Sequence, residues 1–197
     1  RAKKGSAAFF GSRDVKVIIA AHYQPEASTV PEGGMFPDHI LLALQVKSKG
    51  FDGSIFYKEH PATAVFWHPI VGPTRCGLYK NPRFLRLLER LNINCLPSDS
   101  NFNGTNILHS SNIVLTITGN IAIERSLLGL KTIVAGHPWY EGLPGVVMLE
   151  DLNGFEFVDE SWLKVDKDLA SRARQFLIEK IIDCSAPNSI LLGMTNE

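Results

Sequence analysis

Thr118-Gly119-Asn120, with Glu124 one helical turn further on, is the grouping in this chain best suited to chemistry. The residues before it, Val114 to Ile117, and after it, Lys131 to Ala135, are strongly apolar and read as buried strands. A turn of small residues at the carboxyl end of a strand leaves the first backbone amides of the next helix free to meet an anion. Glu124 would then be placed to accept hydrogen bonds from a sugar diol beside that anion. The same Thr, Gly and Asn also suit a plain helix cap, and the two uses draw on the same unpaired amides.

Two further loops follow strand-like runs. His22-Tyr-Gln-Pro-Glu-Ala-Ser-Thr29 comes after Val15 to Ala21, and Gly33-Gly34 lies beyond it. The glycines would allow a ligand close to the backbone; a solvated strand-to-helix loop is the plainer reading. Lys58-Glu59-His60-Pro61 follows the short run Ser54 to Tyr57, and its cation and imidazole are fit to neutralise a phosphate. His68-Pro69 and His137-Pro138 repeat the His-Pro pair, so the pair alone is weak evidence, and a structural histidine is its ordinary role. Trp139 and Tyr140, after the next strand, would stack on a base or sugar or pack in the core. The histidines are too scattered for a metal-ligand pattern, and no P-loop, GxGxxG turn or nucleophile elbow is present.

Strand and helix signals alternate along the chain, so the expected fold is α/β: a Rossmann-like, doubly wound, mainly parallel sheet with helices on both faces. Strands are expected at Val15–Ala21, Ser54–Tyr57, Ile93–Leu96, Asn112–Ile117, Lys131–Ala135 and Val146–Leu149. Helices are expected at Pro37–Lys47, with Ile40, Leu41, Leu44 and Val46 at helical spacing, at Pro82–Arg90, and briefly at Asn106–Ser110. A closing helix over Asp166–Ile182 carries Leu169, Ala173, Phe176, Leu177 and Ile181, with Asp166 and Asp168 as favourable charge at its start. In such sheets ligands collect at the carboxyl ends of the strands, where all three loops fall.

Composition narrows the class. With 197 residues, 45% apolar and 20% charged, the chain can bury a substantial core and reads as one domain over residues 1–197. Twenty basic residues balance twenty acidic ones, which argues against a nucleic-acid partner. Three widely spaced cysteines suit a reducing compartment, and no apolar run nears the roughly 20 residues that span a bilayer, so a cytoplasmic place is expected. The first residues, Arg1-Ala-Lys-Lys-Gly-Ser, lack a signal-peptide core and an initiator Met, as a fragment of a longer protein would.

Taken in order, His22-Tyr-Gln-Pro-Glu-Ala-Ser-Thr, Gly33-Gly34 with Asp38, Lys58-Glu-His-Pro61, Thr118-Gly119 with Glu124, Leu130-Lys131 and Trp139-Tyr140 resemble the capsule polysaccharide biosynthesis family. That family includes bacterial Kdo transferases using CMP-activated sugar, and the resemblance covers about residues 16 to 150. It implies the carboxyl-terminal, nucleotide-binding half of a GT-B glycosyltransferase. Lys58 and His60 would meet the nucleotide phosphate, Thr118, Gly119 and Asn120 would cradle it, and Glu124 would bind the ribose. Gln24 and Glu26 would face donor sugar or acceptor, with Glu26 and His60 the candidate catalytic residues. The chain departs from the family pattern at Asn120, where a small hydroxyl residue is expected, and at Arg125, where a small residue is usual.

The implied partners are a nucleotide sugar, a polysaccharide or glycolipid acceptor, and an amino-terminal domain lying outside this chain, with a peripheral place at the inner membrane. Neither a metal nor another cofactor is expected, and the chain by itself is expected to be inactive. A nucleotide-sugar epimerase-like domain and a non-catalytic nucleotide- or carbohydrate-binding module are the alternatives.

Overall fold

A computed structural model describes residues 16–22, 32–36, 38–51, 53–60, 66–68, 72–74, 82–96, 107–108, 112–154 and 160–185. Six strands form one sheet: β1 (Lys16–Ala20), β2 (Ser54–Lys58), β5 (Ile93–Leu96), β6 (Ile113–Thr116), β7 (Thr132–Val134) and β8 (Val146–Met148). Their spatial order is β5-β2-β1-β6-β7-β8, and every neighbouring pair is parallel. Counting only this sheet's strands along the chain, the order is 3-2-1-4-5-6, the doubly wound Rossmann arrangement. Winding reverses between β1 and β6. A separate antiparallel hairpin pairs β3 (Phe66–His68) with β4 (Gly72–Thr74).

Because strand side chains alternate faces, each strand divides its apolar residues between two layers. Val17, Ile19, Ile55, Ile113, Leu115 and Ile133 pack on one face with Leu42 and Val46 of helix α1 (His39–Ser48) and Leu88 of α2 (Pro82–Arg90). Ile18, Phe56, Leu96 and Val114 pack on the opposite face with Ile107. On that side Val134 and Met148 meet Ala122 of α3 (Ile121–Leu127) and Ala173 of α4 (Lys167–Ser185). Helices therefore cover both faces, as a buried parallel sheet requires.

The caps explain where two helices start. Asp38 Oδ1 accepts the Ile40 and Leu41 N–H groups at 2.7 and 3.1 Å, and Asp166 Oδ1 those of Asp168 and Leu169 at 2.9 and 3.1 Å. The inward stripe of α1 keeps Ile40 and Val46 of the expected one and differs in the rest: His39, Leu42 and Ala43 are buried with them, while Leu41 and Leu44 are exposed. His39 faces inward because its ring accepts a hydrogen bond from the backbone after β1. On α4, Leu169 and Ala173 are buried and Phe176 and Leu177 half-buried, but Ile181 is exposed. Among the described residues no helix is long and apolar enough to cross a membrane.

Candidate functional site

The carboxyl ends of β1, β2 and β6 converge on a cavity of about 420 Å³ at the point where the winding reverses. Ala20, Ala21 and His22 line it from β1, Lys58, Glu59 and His60 from β2, and Thr116, Thr118, Gly119 and Asn120 from β6. Ile121 and Glu124 of α3 and Ile107 complete the wall. Sheet topology creates the crevice: helices leaving β1 and β6 go to opposite faces, so nothing fills the gap between the strand ends.

Six of the eight residues expected at the site meet here, namely Lys58, His60, Thr118, Gly119, Asn120 and Glu124. Glu26, together with Gln24, lies outside the described residues. Lys58 is buried, and its Nζ donates to the Glu59 carbonyl at 2.9 Å. β2 is extended past its last residue in both directions: the Ala21 N–H donates to Lys58 O and the Glu59 N–H to Leu96 O, each at 2.9 Å. These bonds hold Lys58 and Glu59 rigidly at the rim of the sheet. His60, the next residue, is half-buried.

The central turn differs from a simple amide cradle. The Thr118 N–H donates to His22 Nε2 at 3.2 Å, and the Gly119 N–H to Thr116 Oγ1 at 3.2 Å. Both turn amides are therefore committed within the protein. Asn120 precedes the helix in a helical conformation (φ −58°, ψ −16°) and makes no side-chain cap bond, so the cap reading does not hold for it. Glu124 is exposed at the cavity's edge, and an exposed carboxylate needs no buried partner to account for it.

Three neighbours fix the turn from behind. Tyr140 is fully buried, and its hydroxyl donates to Gly119 O at 2.7 Å; burial pushes its phenol well above the usual tyrosine range. Trp139 is exposed and stacks edge-on against Tyr140, and neither ring lines the cavity. A Cβ on Gly136 would stand 2.7 Å from both Glu32 O and Thr118 Cγ2, so only glycine lets the segment at 32–33 close over the turn. The His137 N–H then donates to Glu32 O at 3.0 Å, and the Gly136 N–H to Ile117 O at 2.9 Å.

Arg125 points away from the cavity, into the protein. Its Nε donates to Thr132 Oγ1 at 3.2 Å, Nη1 to Ile107 O and Leu108 O at 2.6 and 3.4 Å, and Nη2 to Asn112 O and Lys131 O at 3.3 and 3.2 Å. Desolvation lowers its pKa to about 10, which leaves it charged at neutral pH. Arg125 is thus a tether from α3 to the segments flanking β6 and β7.

Sequence reasoning did not single out Thr116 and Glu59 or give His22 a role of its own. Thr116 carried one usable signal, a hydroxyl on a strand's last residue just before the turn. Glu59 was visible only as part of the Lys-Glu-His-Pro run. Chemically, the cavity offers cationic donors from β2, carboxylates on β2 and α3, and apolar walls from Ala20, Ile107 and Ile121. Among the described residues no group of three His, Cys, Asp or Glu is placed to hold a metal ion. No family model matches this chain, nor does any curated protein or solved structure.

Proposed function

We propose that this chain is the nucleotide-binding half of a glycosyltransferase, holding a nucleotide-activated sugar in the cavity between β1 and β6. The carrying observation is that residues drawn from 58 to 124, chosen for phosphate and sugar chemistry, line one cavity at the reversal point of the sheet. In open α/β sheets that is where ligands bind. The sequence resemblance supports CMP as the nucleotide and a bacterial capsule or surface polysaccharide as acceptor, in the cytoplasm or against the inner membrane.

In the reaction, the bond from the anomeric carbon to the phosphate oxygen breaks and a bond to an acceptor oxygen forms. The acceptor's proton goes to a base, for which the other half of the enzyme is the expected source. Lys58 and His60 lie on the phosphate side and stabilise charge growing on the leaving group, as preorganised donors do. Glu124 accepts from the ribose diol, and Glu26 faces donor sugar or acceptor.

Thermal unfolding with CMP, UDP, GDP or no nucleotide tests the reading. A ligand at about 100 times its dissociation constant adds about 2.7 kcal/mol of stability. A shift selective for CMP, weakened in His60→Ala, is the expected result. Selectivity for UDP would favour the epimerase-like reading. No shift with any nucleotide would refute nucleotide binding by the chain and leave the carbohydrate-binding module. An unchanged shift in His60→Ala would remove His60 from the site.

A further inference from the structure

Gly119 is the joint between β6 and α3, and side-chain hydroxyls hold both of its peptide groups. Its N–H donates to Thr116 Oγ1 at 3.2 Å, and its carbonyl accepts the Tyr140 hydroxyl at 2.7 Å. The two hydroxyls reach it from different elements: Thr116 is the last residue of β6, and Tyr140 lies between β7 and β8. Both residues are fully buried. Burial raises the Tyr140 pKa well above the usual tyrosine range, so the phenol keeps its proton and donates.

Glycine has more backbone freedom than any other residue, which makes an unrestrained Gly119 the loosest link in the turn. The N–H belongs to the peptide plane before Gly119 and the carbonyl to the plane after it, so bonds to both fix the angle between two rigid planes. The second plane leads into α3 and sets the direction from which Asn120, Ile121 and Glu124 meet the cavity. The side chain of Asn120 adds no cap bond to this joint. The Gly119 carbonyl also accepts the Ala122 N–H at 3.1 Å, so it stays bonded when the phenol is removed.

We propose that Thr116 and Tyr140 are positioning residues for the ligand: together they lock Gly119 and so aim the α3 side of the cavity. Tyr140 does not line the cavity and acts only through Gly119. Thr116 lines it, and its Oγ1 also lies 2.8 Å from His22 Nε2 and 3.3 Å from Ala20 O, which ties the joint to the end of β1. The clamp on Gly119 rests on these bonds; its effect on a nucleotide rests on the function proposed above.

Tyr140→Phe removes one hydroxyl and keeps the ring packed among Ala122, Val134, Leu143 and Ala173. Thr116→Val puts a methyl in place of the other hydroxyl, and Thr116→Ser retains it. Each variant is measured well below its unfolding temperature, for CMP affinity by calorimetry and, ligand-free, for backbone order by nitrogen relaxation. In Tyr140→Phe and Thr116→Val the order parameters of residues 118–121 should fall from about 0.85 toward about 0.6, with those of the strands unchanged. CMP affinity should fall about tenfold in each, the equivalent of ordering one residue's backbone on binding. Thr116→Ser should stay near the parent in both measurements. The double variant should lose little more affinity than either single one, because an open joint is already free; independent sites would multiply to about a hundredfold.

Unchanged order at 118–121 in either single variant overturns the clamp, as does a multiplicative loss in the double variant. A gain of affinity in Thr116→Val also overturns it, since the freed Gly119 N–H would then be meeting the phosphate itself. A loosened turn with full CMP affinity overturns the positioning role. If the parent binds no CMP while the variants loosen the turn, the clamp on Gly119 stands and the nucleotide reading fails.

Discussion

Replacing Arg125 by Met keeps an unbranched apolar stem of similar reach and removes every donor. The guanidinium is fully buried, and three of its bonds are well within hydrogen-bond range: 2.6 Å to Ile107 O and 3.2 Å to Thr132 Oγ1 and Lys131 O. Each charge-assisted bond contributes about 1.5–3 kcal/mol, and the bond to the Ile107 carbonyl is buried, so that carbonyl is left unsatisfied. Relief from burying a charge offsets part of that loss. The net expectation is a loss of about 3–5 kcal/mol, a large share of a domain's total stability of about 5–15 kcal/mol. Urea unfolding followed by circular dichroism reads this directly. At about 2 kcal/mol per molar, the midpoint falls by roughly 1.5–2.5 M. Arg125→Lys keeps the charge and some of the donors, and should lose less. A Met variant within about 1 kcal/mol of the parent would refute the tether, because it would mean that the carbonyls are satisfied without the guanidinium.

Gly119→Ala places a methyl 2.5 Å from Thr116 Oγ1 and 3.2 Å from His22 Nε2, so the turn must shift; a stability loss of about 1–3 kcal/mol and loss of the nucleotide-induced thermal shift are expected. Acid lability is expected from His39: below about pH 6.5 the unfolded chain binds a proton there that the folded chain refuses until about pH 3. Stability therefore falls with pH through that window by up to about 1.4 kcal/mol per unit. His39→Gln, which can still accept the His22 N–H, should flatten the slope in unfolding measured from pH 7 to 4, and an unchanged slope would assign the lability to other groups.

The parallel core was legible because its strands are short apolar runs bounded by turns. Ile93–Leu96 and Pro82–Arg90 emerged at their expected limits, and the other sheet strands differ by a residue or two at their ends. Strand order was not legible, since alternation of strands and helices is compatible with more than one winding. The β3–β4 hairpin gave no signal: its strands have three residues each, and Pro73 sits inside one of them. The cavity's motif residues could be named from their position after strands, but their use of one another could not. His22 and Thr116 are 94 residues apart, and the acceptors of Arg125 are backbone carbonyls, which carry no side-chain signature. Thr118-Gly119 looked like free amides because the residues that occupy them belong to other strands or to the preceding strand end.

The reversal of winding between β1 and β6 also orders events in time. Strands β1, β2 and β5 come from residues 16–96 and β6, β7 and β8 from residues 113–148, so the sheet is two sequence-contiguous halves joined along one seam. Pairing within each half closes shorter loops than the β1–β6 pairing, which must bring together positions nearly a hundred residues apart. Non-local parallel pairing of this kind is slow. During synthesis the amino-terminal half emerges with β1 as an open edge, carrying half of a cavity and a row of unpaired backbone groups until β6 arrives. The seam that makes the binding crevice is thus also the interval of greatest exposure to misassembly, and a ligand bridging it would favour the joined state.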